Sequence, residues 1–534
     1  MNGIDSRIVI IGLPQVAAAL HADAEQAIWF TQSYVLATAI ALLLIGRITD
    51  IVGRAKIYTM GFAVFTIGSA LTSIAQNPNQ FILWRGLQGL GVAMMFTNSV
   101  AMIVDATPRE ELGLSLGINQ IAFRFGAMSG LTISGLILSF FDWRALFYVN
   151  IPIGVFGTFW SHHRLKEIAK LDKKAPIDWF GFASFSISIT SFLLALTYAA
   201  YGFSERLTVY VLLILSAVTL AIFIVRERKQ SHPLLDLGLL KIREFTGGVI
   251  AQLLNAIAWG AFLLLLSLYL QLVLNMSPLD AGIRIIPFDI AFLTFGPLSG
   301  RLSDKFGHLP FTTSGITLTS VALFLFSTVT IATPISTVFI YMVIIGAGMG
   351  LFVSPNMSSI MSSVPEMRRG IASAFRSTFF QVGFVTSLNV AVLIMTYVIP
   401  YQTITDVMSA INPAAISESD RLLFLKGLST AYFWLAIVNL AAIAPSVLRG
   451  SSKNKPKKKG LKFLEVKWCG KRDLNLRNFG GAHTCSFEPI ALATTRPSRP
   501  LPERHAKKIG LWRRCRQRDA ASVHAAYVYQ SRQE

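Results

Sequence analysis

Gly46-Arg-Ile-Thr-Asp50-Ile-Val-Gly53-Arg54-Ala-Lys56 lies between two long apolar runs, and Gly300-Arg-Leu-Ser-Asp304-Lys-Phe-Gly307 repeats its pattern 254 residues later. Glycines at 46 and 53 allow a tight turn and a close approach of helices. Asp50 and Arg54 stand four residues apart, so they can pair with each other or face helix ends. A single copy reads as no more than a hairpin with basic flanks. Two copies at corresponding loops mark a chain assembled from two structural repeats.

The surroundings of both copies say which solvent the repeats face. Of the 534 residues 53% are hydrophobic and 14% charged, with 38 Phe and a mean hydropathy of +0.56. Soluble domains carry roughly 25% charged residues. A water-soluble globular protein, a disordered chain and a collagen-like chain are excluded. A bilayer crossing needs about 20 apolar residues, because backbone groups in lipid must bond within their own helix. About fourteen runs meet that need. They centre near Val9, Ile40, Thr66, Ala93, Ser129, Phe156, Ser188, Ile214, Leu263, Phe292, Leu323, Gly348, Asn389 and Ala436. With the N-terminus in the cytoplasm, the inside loops hold 18 Lys and Arg and the outside loops only Arg144, Arg206, Arg421 and Lys426. That alternation stays in phase with an even number of crossings. The expected product is an all-α, multi-pass protein of the cell membrane with both termini cytoplasmic.

The two ends of the chain read differently. The first run, Ile4 to Leu20, has only 17 residues and contains Asp5 and Arg7. It makes about 25 Å of helix, the lower limit for a span. It has neither a charged leader nor a small-residue cleavage site, so a signal peptide is not expected, and the simplest reading places the true start upstream. Residues 451–534 hold 20 of the 48 Lys and Arg, 6 of the 28 acidic residues, and all three cysteines, Cys469, Cys485 and Cys515. The cysteine spacings fit no zinc or redox pattern. A basic arm for anionic lipid or nucleic acid is one reading of this tail. Without a helical period or an aromatic platform, a disordered cytoplasmic tail or translation in the wrong frame is the better one, and no nucleic-acid partner is expected.

Both loop copies resemble the cytoplasmic signature of the major facilitator superfamily, G-x-L-A/S-D-x-x-G-R-R/K. Leu83-Trp84-Arg85-Gly-Leu-Gln88-Gly89-Leu-Gly91 is similar to its fourth-helix motif R-x-x-Q-G-x-G. Arg85, Gln88 and Gly89 share one helix face, and an arginine at that depth should face the bundle interior or a water cavity. Ile4-Asp5-Ser-Arg7-Ile8-Val9 through Leu13-Pro14 resembles L-D-x-T-I-V-N-V-A-L-P, with Arg7 where Thr is usual. In the fifth helix, Gly126-Ala-Met-Ser-Gly130-Leu131-Thr-Ile-Ser134-Gly135 occupies the place of G-x-x-x-G-P-x-x-G-G, with Leu131 for Pro and Ser134 for Gly. Asp142-Trp143-Arg144-Ala-Leu-Phe147-Tyr-Val-Asn150-Ile-Pro152-Ile-Gly154 follows W-R-x-x-F-x-I-N-x-P-I-G. Pro355-Asn356 and Gly370-Ile-Ala372-Ser373 also fit, with Phe380 in place of an Arg.

The first loop copy follows helix two and the second follows helix ten, so two extra helices stand between the halves. That six-two-six plan resembles the fourteen-span drug:proton antiporters. It implies a six-helix bundle over 1–163, a linker with two helices over 164–245 and a second bundle over 246–450, with 451–534 as tail. The resemblance covers nearly all of 1–450. It implies proton coupling through Asp5 and Arg85: desolvation favours a neutral carboxyl group and a nearby guanidinium favours a charged one. It implies gate loops at Gly46, Asp50, Gly53, Arg54, Gly300, Asp304 and Gly307, and close helix packing at Gly126, Gly130 and Gly135.

Arg124 and Asp289 lie outside the family pattern and are functional candidates by their depth alone. Asp289 could bind a cationic substrate, carry a second proton, or pair with Arg284. Arg124, Asp289, Gln88 and Asn356 are taken as substrate-cavity candidates. No Walker loop, metal-ligand cluster or nucleophile–base arrangement occurs, so neither an ATP-driven pump, a cofactor, a metal nor an enzyme is expected. The expected activity is export of hydrophobic or cationic small molecules in exchange for protons, within the lipid bilayer. Uptake by the same fold is the alternative, as is an inactive product with a damaged start and a frameshifted end. Accessory export proteins cannot be named from the sequence.

Overall fold

The computed structural model describes residues 1–107, 112–167, 177–200, 206–230, 233–365, 369–408, 416–450, 467–468 and 486–487. The chain divides into a unit Met1–Ser451 and a unit Ser452–Glu534. In the second unit the described residues are two short strands, β1 (Lys467–Trp468) and β2 (Ser486–Phe487), paired antiparallel. The first unit is helical throughout its described residues.

Its helices run in order α1 (Asn2–Ala19), α2 (Ala24–Val52), α3 (Arg54–Ser73), α4 (Pro78–Ala106), α5 (Leu112–Phe140), α6 (Ala145–Tyr148), α7 (Asn150–Arg164), α8 (Trp179–Ala200) and α9 (Arg206–Lys229). They continue with α10 (Arg243–Trp259), α11 (Phe262–Leu268), α12 (Pro278–Phe306), α13 (His308–Phe326) and α14 (Ile335–Ser362). The last are α15 (Arg369–Thr396), α16 (Tyr401–Met408), α17 (Glu418–Ala441) and α18 (Ile443–Leu448). A π-helical turn, Tyr269–Val273, extends α11. All fourteen centres read from the sequence fall inside helices. Among the described residues, eleven helical stretches are long and apolar enough to cross a membrane. Helices α1, α3 and α7 are not among them; they carry Asp5, Arg7, Arg54, Lys56, His162, His163 and Arg164.

Helix starts at one end of the bundle are fixed by side-chain caps. Asp23 and Gln26 form a reciprocal capping box on α2, and Asn77, Ser277 and Ser417 cap α4, α12 and α17. Each cap satisfies an amide that would otherwise lack a partner.

The duplicated loop is duplicated in three dimensions. Gly53 (φ 113°) is the sole residue between α2 and α3, and Gly307 (φ 89°) the sole residue between α12 and α13. The Gly53 amide donates to Thr49 O and the Gly307 amide to Ser303 O, both at 2.9 Å. Only glycine holds such a conformation without strain. The helix contacts repeat as well. A Cβ at Gly89 would lie 2.3 Å from Tyr34 O, and one at Gly346 would lie 2.3 Å from Phe288 O. Thus α4 packs on α2 as α14 packs on α12.

Helices from before and after α8–α9 meet toward the end that carries the α1–α2 turn. There α5 meets α12, where a Cβ at Gly135 would come within 2.5 Å of Leu279 Cα and one at Gly282 within 2.5 Å of Leu131 O. Gln32 of α2 and Asn389 of α15 exchange two amide hydrogen bonds of 2.9 Å. Ser267 Oγ donates to Ile10 O at 3.0 Å, and Gln271 Nε2 to Ile11 O at 3.1 Å. The inserted α8 and α9 bind each other through reciprocal Ser188–Ser216 contacts of 3.0 and 2.9 Å.

Candidate functional site

Two buried charge clusters lie inside the helical unit. The first joins α1, α4 and α7. Asp5 Oδ2 accepts from Arg85 Nη1 at 3.0 Å, and Asp5 Oδ1 accepts from Asn150 Nδ2 at 2.8 Å. Arg85 also donates to Gln88 Oε1 at 2.8 Å and to Phe30 O at 3.3 Å, and its guanidinium stands 4.2 Å from the Tyr34 ring centroid. Gln88 Nε2 donates onward to Ser69 Oγ at 2.6 Å. Asp5 and Arg85 are 0% and 1% exposed. An ion pair so fully desolvated holds only with geometry this complete. Gln88, expected in a substrate cavity, belongs to this network instead.

The second cluster bridges the halves. Asp289 of α12 is fully buried, with Arg7 Nη2 of α1 at 3.7 Å and Arg124 Nη1 of α5 at 3.8 Å from its Oδ1. These are ion-pair distances, not hydrogen bonds, and neither carboxylate oxygen of Asp289 has a hydrogen-bond partner in the structure. Arg124 Nε also lacks one, and its guanidinium lies 3.6 Å over the Phe292 ring centroid. The expectation that Asp289 pairs with Arg284 is corrected: Arg284 reaches Asp280 one turn away, at 3.4 Å. Where a cationic substrate or a second proton was also considered for Asp289, two guanidiniums face it.

The gate loops differ between the halves. Arg54 pairs with Asp105 at the end of α4, while the Asp50 side chain lies outside the described residues. Glu167, just after α7, accepts from the Ala55 amide at 3.0 Å and so caps α3. In the second copy Gly300 approaches Ser354, whose Oγ would be 2.7 Å from an added Cβ. Asp304 is exposed and forms no ion pair among the described residues. Gly46 was expected at a close approach, yet an added Cβ there would meet nothing within 4 Å. The fifth-helix glycines also divide. A Cβ at Gly130 would be 2.6 Å from Ile4 O, locking α5 onto α1, and Gly135 faces α12. Gly126 has ordinary room, with Ile4 Cγ1 at 3.6 Å.

Asn356 is the displaced candidate. Its Nδ2 donates to Gly248 O at 3.2 Å and its Oδ1 accepts from Arg449, which also bonds Thr312. It therefore braces α10, α13 and α14 and belongs to neither charge cluster. Conversely, Asn150, Tyr34 and Arg7 join the clusters without having been singled out as sites. Their signals were present: Asn150 sits inside a quoted motif, and Arg7 breaks one. Among the described residues no group of His, Cys, Asp and Glu could hold a metal ion.

Comparison with known proteins decides the family. The sequence profile described as Major Facilitator Superfamily matches residues 1–388. The chain belongs to the Major Facilitator Superfamily. It is therefore a membrane-embedded, multi-pass transporter. It is 30% identical over 384 residues to the riboflavin transporter RibZ of Clostridioides difficile, covering 72% of this chain and 83% of that protein. It is 27% identical to the tetracenomycin C resistance and export protein of Streptomyces glaucescens, covering 74% and 73%. It is 26% identical to multidrug resistance protein 3 of Bacillus subtilis, covering 74% and 78%. Among solved structures, a bacterial homologue of the human lysosomal transporter Spinster aligns with a TM-score of 0.58 over 84% of this chain and 94% of that one, at 15% identity. The xylose transporter XylE of Escherichia coli aligns at 0.53 over 83% and 94%, at 15% identity. Both likenesses bear on the fold of this Major Facilitator Superfamily chain alone.

Proposed function

We propose that this transporter exchanges protons for hydrophobic small molecules by alternating access, in the export direction. It does so in the cell membrane with fourteen spans and both termini in the cytoplasm. The observation that carries the reading is the position of Asp5. Its carboxylate ties α1 to Arg85 of α4 and Asn150 of α7, all within the first half. Two turns on, the Ile10 and Ile11 carbonyls of the same helix hold Ser267 and Gln271 of the second half. Protonating Asp5 removes the charge that Arg85 compensates. The helix that connects the two halves is then free to shift, and a proton becomes coupled to the seam. Similarity to proteins named for drug resistance and multidrug efflux favours export of hydrophobic compounds.

The test is proton release driven by substrate in proteoliposomes holding the full chain. Asp5→Asn should abolish substrate-driven proton movement while leaving passive substrate exchange measurable. Full coupled transport by Asp5→Asn would remove that residue from the mechanism. Uptake on the same fold is the second reading, favoured by Leu131 standing where the antiporter motif has Pro. Accumulation driven by an inward proton gradient would select it.

A further inference from the structure

The charge count at the seam is not what a site for cations needs. Arg7 and Arg124 bring two positive charges from the first half, and Asp289 brings one negative charge from the second. The cluster thus carries one net positive charge, away from water. A buried unbalanced charge is costly unless a partner arrives. Its polar atoms are also unfinished: both Asp289 oxygens and Arg124 Nε lack hydrogen-bond partners in the structure. An aromatic ring stands against them, and a stack of further rings begins one residue away in sequence. Phe292 lies under the Arg124 guanidinium at 3.6 Å. Phe288, next to Asp289 in sequence, stacks 6.4 Å from Trp259, and the indole Nε1 of Trp259 has no partner either. The Trp259 ring in turn meets Phe384 edge-on at 5.7 Å.

We infer that this cluster is the substrate site and that it takes a planar aromatic monoanion, a carboxylate or an equivalent single negative charge on a flat ring. The inference rests on the transporter reading above and specifies what is carried. The anionic group sits between Arg7 and Arg124 in competition with the Asp289 carboxylate and neutralises the cluster. The ring lies against Phe292, the aromatic face that the Arg124 guanidinium already covers. Guanidinium planes suit a carboxylate because they offer paired donors and stack on aromatic faces. Since Arg7 and Arg124 belong to one half and Asp289 to the other, an anion that takes the guanidiniums also loosens the seam.

Three probes of one shape separate charge from shape: 2-naphthoate, neutral 2-naphthamide and cationic 2-naphthylmethylammonium. Their binding is measured at equilibrium to the purified full chain in lipid nanodiscs, with no gradient. The expected order is naphthoate tightest, by about tenfold over the amide, with the ammonium weakest. Arg124→Gln should weaken naphthoate by about tenfold and leave the amide unchanged, while Arg124→Lys keeps naphthoate binding within a few-fold. Asp289→Asn should tighten naphthoate, because it removes the competitor. Size-exclusion and thermal unfolding of each variant show that it is folded, and Arg124→Lys carries the test if Arg124→Gln is not. The inference is overturned if the ammonium binds tightest, if the three probes bind equally or not at all, or if Asp289→Asn weakens naphthoate. Because binding is read without proton flux, failure here leaves the antiport reading standing. Failure of proton exchange likewise leaves this site standing.

Discussion

At the residue scale the decisive object is a pair. Asp5 and Arg85 are separated by 80 residues and meet at 3.0 Å in a region closed to solvent. Removing one partner of a buried pair strands the other and costs about 3–5 kcal/mol, whereas removing both costs much less. Arg85→Gln should therefore lower the thermal unfolding midpoint in detergent sharply, and adding Asp5→Asn should restore much of it. A double-mutant cycle measures the coupling; additive losses would show that the two do not depend on each other. Both residues were legible in the sequence, since each sits in a local motif. Their contact was not, because pairing across 80 residues leaves no trace in spacing. The same blindness affected Arg54. Spacing offered Asp50 four residues away, whose side chain lies outside the described residues, and gave no hint of Asp105, which the fold sets against Arg54. Gly46 failed for a related reason: a glycine in a motif shows that a side chain is absent, not that a neighbour fills the space.

At the element scale the two glycine hinges share a backbone and differ in surroundings. Gly53 has its φ at 113° and Glu167 Oε2 only 2.5 Å from where a Cβ would go, whereas Gly307 has its φ at 89° and open space. Strain in such a conformation costs roughly 1–3 kcal/mol for any other residue. Gly307→Ala should show that strain alone. Gly53→Ala should lose more, because it also displaces the carboxylate that caps α3. Unfolding midpoints of the two variants in detergent check the order; equal losses would remove Glu167 from the hinge. The helices themselves were largely legible, since long apolar runs have few other folds in lipid. Weak spans such as α1, α3 and α7 were marked by their charged and histidine residues, buried in α1 and set at the helix ends in α3 and α7. The substrate candidates were harder to place. A family motif recommended Asn356, but a motif does not say what its side chain touches, and here Arg449 holds it.

At the scale of the molecule, helices from the first part of the chain meet those of the second along α5–α12, α2–α15 and α1–α11. Their close contacts gather toward the end that carries the α1–α2 turn. The duplicated loop foretold the matching hinges at Gly53 and Gly307, because repeated sequence forces repeated local geometry. It could not foretell which end is closed. That depends on the balance of contacts at the seam, where Asp289, Arg7 and Arg124 sit.

Rocking of the two halves is the claim on which all of this depends, and paired spin-label distances test it most directly. With Cys469, Cys485 and Cys515 replaced by Ser, one label pair is placed at Phe140 and Asp280, at the closed end of α5 and α12. A second pair is placed at Ile118 and Phe306, at the opposite ends of the same helices. The account predicts opposed changes when the proton gradient is imposed or Asp5→Asn is introduced: the first distance lengthens as the second shortens. Two distances that stay fixed, or that lengthen together, would contradict it.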